Sequence, residues 1–594
     1  MSSDRVLQFH IGDDAFDLKL PDASGGLAMF NVPEHPDWGL LDALLQKAGV
    51  ATSDPFERRV AFVSLLANLD EGSWALASEL IALSTGRVAN ALLNPPPGER
   101  DSRWHEEYAS RVIARPIAML ALHAYVGSHA GVYPDDRTAL LAFTRSMWFT
   151  NRANPLPSFA DAEQQSKSWA RAGMHEGYAE WAKHARLVDP AYPIEVPAPR
   201  RPALAELLFD GLSPHDPDQD VIDIDWRALQ GSSAGYFAPS VRIELTGDPS
   251  ARTVKAISVA FHGTQHQRYE PSAGAAWQYA EHCARTALLL DGQLRGHLGR
   301  GHVVTEVYRR AVDAMFEGDA QSPVFSLLRP FLRSVVEIDD LGVPLVFGEG
   351  SILAVTSGLA AEAFGTVLTE VLERNAWSTW VPPTPHPSSR YRRAGAAFAR
   401  GVDAFLEAWF EANDAAIRAH WGEIERFHAA IGHARRAPAG RPWSAGPVPP
   451  IARVDDLRKL VHHAIYHATF FHTWANDQQW DVGGDPAFAA FALRAKSPPE
   501  PEYADWLERA APERGDALMQ CLLADVLSNT KYGRWVDIDA NPERYVRRSP
   551  DDPAVLDEAD HAILVTLMTH LQDEEAALGA ADFELKRLRL WVAI

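Results

Sequence analysis

The stretch Gln293-Leu-Arg-Gly-His-Leu-Gly-Arg-Gly-His302 constrains this chain more than any other. It lies inside a run, 277–316, whose apolar spacing otherwise reads as helix. Gly296, Gly299 and Gly301 make it a poor helix by propensity, each costing about 1 kcal/mol against alanine. His297 and His302 are five apart, so an ordinary α-helix would set them about 140° apart around its axis. They converge only if the helix takes a π-type bulge, which brings residues five apart into line and is found mostly at functional sites. The glycines make the backbone pliable enough for that distortion. Something beyond local preference must hold such a helix, and a metal ion would.

Downstream, His472 and Asn476 in His-Thr-Trp-Ala-Asn are four apart and share one face of a helix read over 453–476. The sequence closes on Leu588-Arg-Leu-Trp-Val-Ala-Ile594, an apolar ending where termini usually fray in water. A carboxylate buried there without a partner would be costly, so a buried end implies a cation. Three imidazoles, one amide oxygen and one carboxylate make a mixed N/O ligand set. Such a set suits redox-active iron, or manganese, better than the sulfur-rich shells of structural zinc. Against this stand 23 histidines in the chain, among which a pair at helical spacing is usually coincidence. His262 with His266, and His463 with His467, are similar pairs and are not read as ligands.

As a joint pattern these residues resemble the catalytic domain of the lipoxygenase family. The resemblance implies one iron per chain, held by His297, His302, His472, Asn476 and the carboxylate of Ile594. It matches Gln293 and Gln479 to glutamines that tie the metal shell to the substrate pocket by hydrogen bonds. Trp277, Val221 to Gly231 and Tyr236-Phe-Ala-Pro239 match further family segments, and the likeness covers roughly 205–594. It also assigns Leu298, Ile338 and Val346 to clamping the reacting carbon, Leu353 to limiting pocket depth, and Gly342 to leaving a void for dioxygen. On sequence alone the aliphatic residues read equally as core, and Gly342 as a turn at Leu341-Gly-Val-Pro344. There are departures. The family's amino-terminal β-barrel is not recognisable, and Glu281 and Phe331 replace a usual lysine and histidine. His467, Phe470 and Phe471 crowd a stretch that is normally small and polar.

The fold expected is mainly α: a lipoxygenase-like helical body over 205–594 with a small β patch, preceded by a helical accessory region over 1–200. Helices are read at 56–69, 103–126, 137–148 and 161–187, with an extended linker at Pro190–Pro202. Strands are read at 221–226, 240–245 and 254–261, and helices at 277–316, 324–338, 391–430, 453–476, 502–530 and 556–574. The net charge of −23 argues against nucleic acid and anionic bilayers as partners. Cys283 and Cys521 cannot supply a disulfide framework and read as buried free thiols. The amino terminus lacks a secretory signal, so a cytoplasmic location is expected, as a monomer or weak homo-oligomer.

The activity implied by the resemblance is hydrogen abstraction from an activated methylene, that of a polyunsaturated fatty acid, and addition of O2 to give a hydroperoxide. The alternative keeps the metal and changes the substrate: an oxygenase or hydroperoxide isomerase acting on a non-fatty molecule. Gly231-Ser-Ser-Ala-Gly235 matches a hydrolase elbow with Ser233 as nucleophile, but that motif needs a strand before and a helix after, and a further strand follows here. A non-enzymatic helical scaffold that keeps a lipoxygenase shape is a further reading, and the intact ligand set argues against it.

Overall fold

The computed structural model describes the backbone of 5–11 and 14–20 and most of 199–592. Within the latter, 232–234, 249, 334, 337–338, 340–342, 344–352, 354–355, 437–440, 500–501, 513–516, 518–519, 522, 525–526, 529–532, 541 and 547–555 are excepted. The helices expected before 190 and most of the linker lie outside these residues. Strands β1 (Arg5–Ile11) and β2 (Asp14–Leu20) form an antiparallel hairpin that the sequence reading did not anticipate. Its register sets Leu7 opposite Leu18 and Phe9 opposite Phe16.

The small β patch is one antiparallel sheet in which spatial order follows sequence order: β3 (Val221–Ile224), β4 (Ser240–Thr246), β5 (Thr253–Ala260) and β6 (Gln267–Tyr269). The first three were expected; β6 is too short to leave a periodic signal. Alternation decides the inner face. Ile222, Ile224, Val241 and Ile243 are buried, while Asp223 and Arg242 face solvent. Helix α1 (Leu204–Asp210) precedes the sheet, and helix α2 (Ala275–Asp291) packs over β4 and β5 and joins the sheet to the helical body.

The run expected at 277–316 is continuous but not uniform. After α2 the chain passes through a π-helical segment, Gly292–Val303, and returns to α geometry in α3 (Val304–Glu317). The run expected at 324–338 is interrupted by turn geometry at 329–333 and is helical again at 335–336. α4 (Pro323–Leu328) has Pro323 in its first turn, and Pro330 lacks an N–H and disfavours helix at the residue before it. α5 spans Ala361–Arg374. The run at 391–430 is two helices, α6 (Arg390–Ala419) and α7 (Trp421–Arg435), broken at His420; the Ser389 side chain caps α6 by accepting from the Arg392 N–H. The run at 453–476 comprises α8 (Val454–Tyr466), a second π segment (His467–Phe471) and α9 (His472–Gly483). α10 (Tyr503–Ala510) and α11 (Glu558–Gln572) follow, the latter capped by Asp557.

The first π segment lies at the centre, in contact with α2, α3, α5, α9 and the second π segment. The chain is mainly α, as the sequence predicts. Among the described residues no helix is long and apolar enough to cross a membrane.

Candidate metal centre

The expected bulge is present and longer than one turn. At its end the Val304 N–H donates to the Gly299 carbonyl, five residues back. The second π segment ends the same way, with the His472 N–H donating to the His467 carbonyl. Both segments therefore deliver a histidine to one place. The glycines act less through pliability than through close approach. A Cβ at Gly296 would run into the Leu212 carbonyl oxygen, and one at Gly301 would lie 3.3 Å from Cδ2 of His472. Thr305 sits where α geometry resumes, its hydroxyl donating to the carbonyls of Gly301 (2.7 Å) and His302 (2.8 Å).

His297, His302 and His472 converge. Each offers a ring nitrogen, and the three lie within 4.8 Å of one another, fully inside the protein. Nε2 of His297 and Nε2 of His302 are 3.2 Å apart. Two nitrogens bound to one ion at about 2.1 Å and a right angle would be about 3.0 Å apart, so the spacing fits a shared ion. Asn476 Nδ2 lies 3.2 Å from His472 Nε2, and Asn476 Oδ1 is buried with no partner. Rotating the amide exchanges its two ends and offers Oδ1 as a fourth donor. Burial, with the charges of His302 and Arg589, holds the His297 pKa well below its usual value. His297 is thus neutral, the form a ligand needs. Among the described residues no other such group of His, Cys, Asp or Glu occurs.

The surroundings are as ordered as the donors. The Gln293 side-chain amide donates to Gln479 Oε1, and Gln479 Nε2 lies 3.4 Å from Gln293 Oε1. This pair clamps the π segment to α9. Asp339, which the sequence reading missed, accepts from His302 Nδ1 at 2.7 Å. No spacing rule links residues so far apart in sequence, so no local signal could have found it. Residues 588–592 are buried, and the Arg589 N–H donates to Thr473 Oγ1 at 2.9 Å on α9. Arg589 Nη1 and Arg534 Nη2 both reach Asp477 Oδ1 at 2.9 Å, one turn further along.

Leu298 and Leu353 are buried in the main hydrophobic core. Ile338, Gly342, Val346 and Ile594 lie outside the described residues, as does Ser233. The segment after Ser233 enters β4 rather than a helix, contrary to what a hydrolase elbow requires. Phe331 is fully buried, and both cysteines are buried and free. His463 and His467 pack ring against ring, 4.3 Å between centroids, apart from the three converging histidines.

The chain superposes on the crystal structure of a 9R-lipoxygenase from Cyanothece with a TM-score of 0.57, covering 84% of this chain and 74% of that one at 19% identity. The fold is that of a lipoxygenase. A second lipoxygenase, a LOX variant crystallised anaerobically with arachidonate, superposes with a TM-score of 0.51 over 77% of this chain and 74% of that one, at 17% identity. In sequence, a linolenate 9R-lipoxygenase from Nostoc sp. is 25% identical over 218 residues, 35% of this chain and 27% of that protein. The chain thus matches about a quarter of that relative's length. No protein-family model matches. The chain is similar to lipoxygenases in fold and, over that stretch, in sequence.

Proposed function

We propose that the chain is a non-haem iron dioxygenase of lipoxygenase type. It would hold one iron through His297, His302, His472, Asn476 and the carboxylate of Ile594. It would remove a hydrogen from an activated methylene, that of a polyunsaturated fatty acid, and add O2 to give a hydroperoxide. The observation that carries this reading is the convergence of three buried imidazoles by π-helical geometry beside an unpartnered Asn476 Oδ1. Lipid substrates figure in the names of two similar proteins, linolenate for the Nostoc enzyme and arachidonate for the LOX complex.

When bound, the iron supplies the one-electron chemistry that C–H cleavage and oxygen addition require. The chain's own residues supply position and dryness. The π segment fixes His297 and His302 together, and the Gln293–Gln479 pair keeps α9 in register with them. Leu298, Ile338, Val346 and Leu353 hold an apolar chain by packing and offer no competing polar group. Gly342 leaves room for dioxygen at one end of the reacting system. Exclusion of water protects the carbon radical from side reactions. The run of buried residues up to Val592, hydrogen-bonded along α9, supports a terminal carboxylate as the fifth donor.

Elemental analysis followed by oxygen uptake with linolenate and arachidonate tests the proposal. Stoichiometric iron and hydroperoxide formation are expected, both lost in His297→Ala and His472→Ala. Manganese in place of iron would change the metal and keep the site. Stoichiometric zinc, unaffected by those substitutions, would sink it.

A further inference from the structure

Behind the proposed metal ligands lies a chain of buried charges. His302 Nδ1 is 2.7 Å from Asp339 Oδ1, with side chains only 5% and 1% exposed. His302 presents Nε2 to His297, so an ion bound there leaves the ring proton on Nδ1. A carboxylate is the strongest acceptor that proton can find. Next to Asp339 is Glu306, fully buried one turn along α3 from His302. Arg310 Nε and Arg441 Nη2 both reach Glu306 Oε1 at 2.6 Å, and Arg441 Nη1 lies 3.5 Å from the Asp339 carbonyl. Burial and the charge of Asp339 push the Glu306 carboxyl well up.

We propose that Asp339 is a positioning residue of the metal centre: it fixes the ring plane and Nδ1–H tautomer of His302, and its charge makes His302 a stronger donor that favours the metal's higher oxidation state. Asp339 is held in turn by the Glu306–Arg310–Arg441 cluster. A ligating histidine's outer partner typically matters by 10–100-fold in metal affinity or activity. The proposal rests on the metal reading of the site and is indifferent to the substrate.

Asp339→Ala removes both acceptor and charge, while Asp339→Asn keeps an acceptor and removes only the charge. Iron affinity by competition with a chelator and midpoint potential by spectroelectrochemical titration are the readouts. Asp339→Ala is expected to bind iron about 10–100-fold more weakly. Asp339→Asn is expected to bind nearly as well as the unaltered protein, with its potential shifted positive. Affinity unchanged in the alanine variant together with a potential unchanged in the asparagine variant overturns the role of Asp339. A chain that takes up no metal takes the metal reading down and this inference with it. If neither variant folds, the unaltered protein loaded with zinc and labelled with ¹⁵N-histidine decides. A far-downfield, exchange-protected ring N–H signal is expected from His302, and its absence overturns the proposal.

Discussion

Gly296 and Gly301 each precede a histidine of the proposed ligand pair, yet they answer to different neighbours. A methyl group at Gly296 meets the Leu212 backbone carbonyl, which cannot step aside without moving the chain. Gly296→Ala should therefore destabilise the protein by about 1–3 kcal/mol, as overpacking usually does. The urea midpoint of the metal-free protein reads this directly. A methyl at Gly301 meets only a side-chain atom, Cδ2 of His472, which can yield by a few tenths of an ångström. Gly301→Ala should keep the fold and lose metal affinity, because the displaced ring is a proposed ligand. Wild-type affinity in a chelator competition would show that Gly301 does not set the His472 position. Asp477 answers to burial of charge. It pairs with Arg589, which is fully buried and whose pKa burial pushes down to about 10. Asp477→Asn leaves that guanidinium uncompensated and should cost about 3–5 kcal/mol. A loss under about 1 kcal/mol in urea denaturation would mean that Arg534, Arg587 and Arg589 rearrange around the change.

At the scale of elements, the glycine-rich first π segment is the weakest helix by local preference, and both π segments border the proposed centre. Hydrogen–deuterium exchange should show it: chelating the metal should speed exchange chiefly in 292–303 and 467–476, with α6 and α11 unchanged. Uniform acceleration would mean that the metal supports the whole fold evenly. The first π segment was legible because His297 and His302 impose a geometric demand that an α-helix cannot meet. The second was not, because nothing within His467–Phe471 must align with anything else in that segment. Strand β6 escaped for a different reason: three residues are too few to display a period. The β1–β2 hairpin was legible in principle, since Phe16, Leu18 and Leu20 alternate with Asp17 and Lys19, and it was passed over in reading 1–200 as helical. The break of the expected 324–338 helix was legible in principle, since Pro330 stands where it ends. Asp339 stayed hidden because a hydrogen bond between distant residues has no signature in a single sequence. Helix runs and ligands are local facts; the clamp of Gln293 on Gln479 was anticipated as support for the shell, but its partner was given only by the fold.

For the whole molecule, burial of histidines sets the pH response. His282 is pushed down to about 3, and His463 and His467 well below their usual value, all by desolvation. The folded protein keeps these three neutral, whereas the unfolded chain protonates them near pH 6.5. Unfolding therefore takes up protons below that pH, and stability present above it is lost as pH falls. Glu306 runs the other way, since its raised pKa keeps a proton that the unfolded chain has released. His215, His297 and His561 are depressed in the same sense, and the raised carboxyls of Asp210 and Asp481 oppose them with Glu306, so depressed imidazoles outnumber raised carboxyls and the net slope follows the histidines. The urea midpoint of the metal-free protein should fall between pH 7 and pH 5, and a flat profile would contradict neutral burial. The proposed ligands come from two stretches, 297–302 and 472–476, and neither cysteine is in a disulfide. An ion gripped from both sides would close a loop of about 170 residues, and a link of that span removes about 5 kcal/mol of entropy from the unfolded chain. It would act as a removable staple, letting a protein without a cysteine cross-link between Cys283 and Cys521 resist unfolding for as long as it stays loaded.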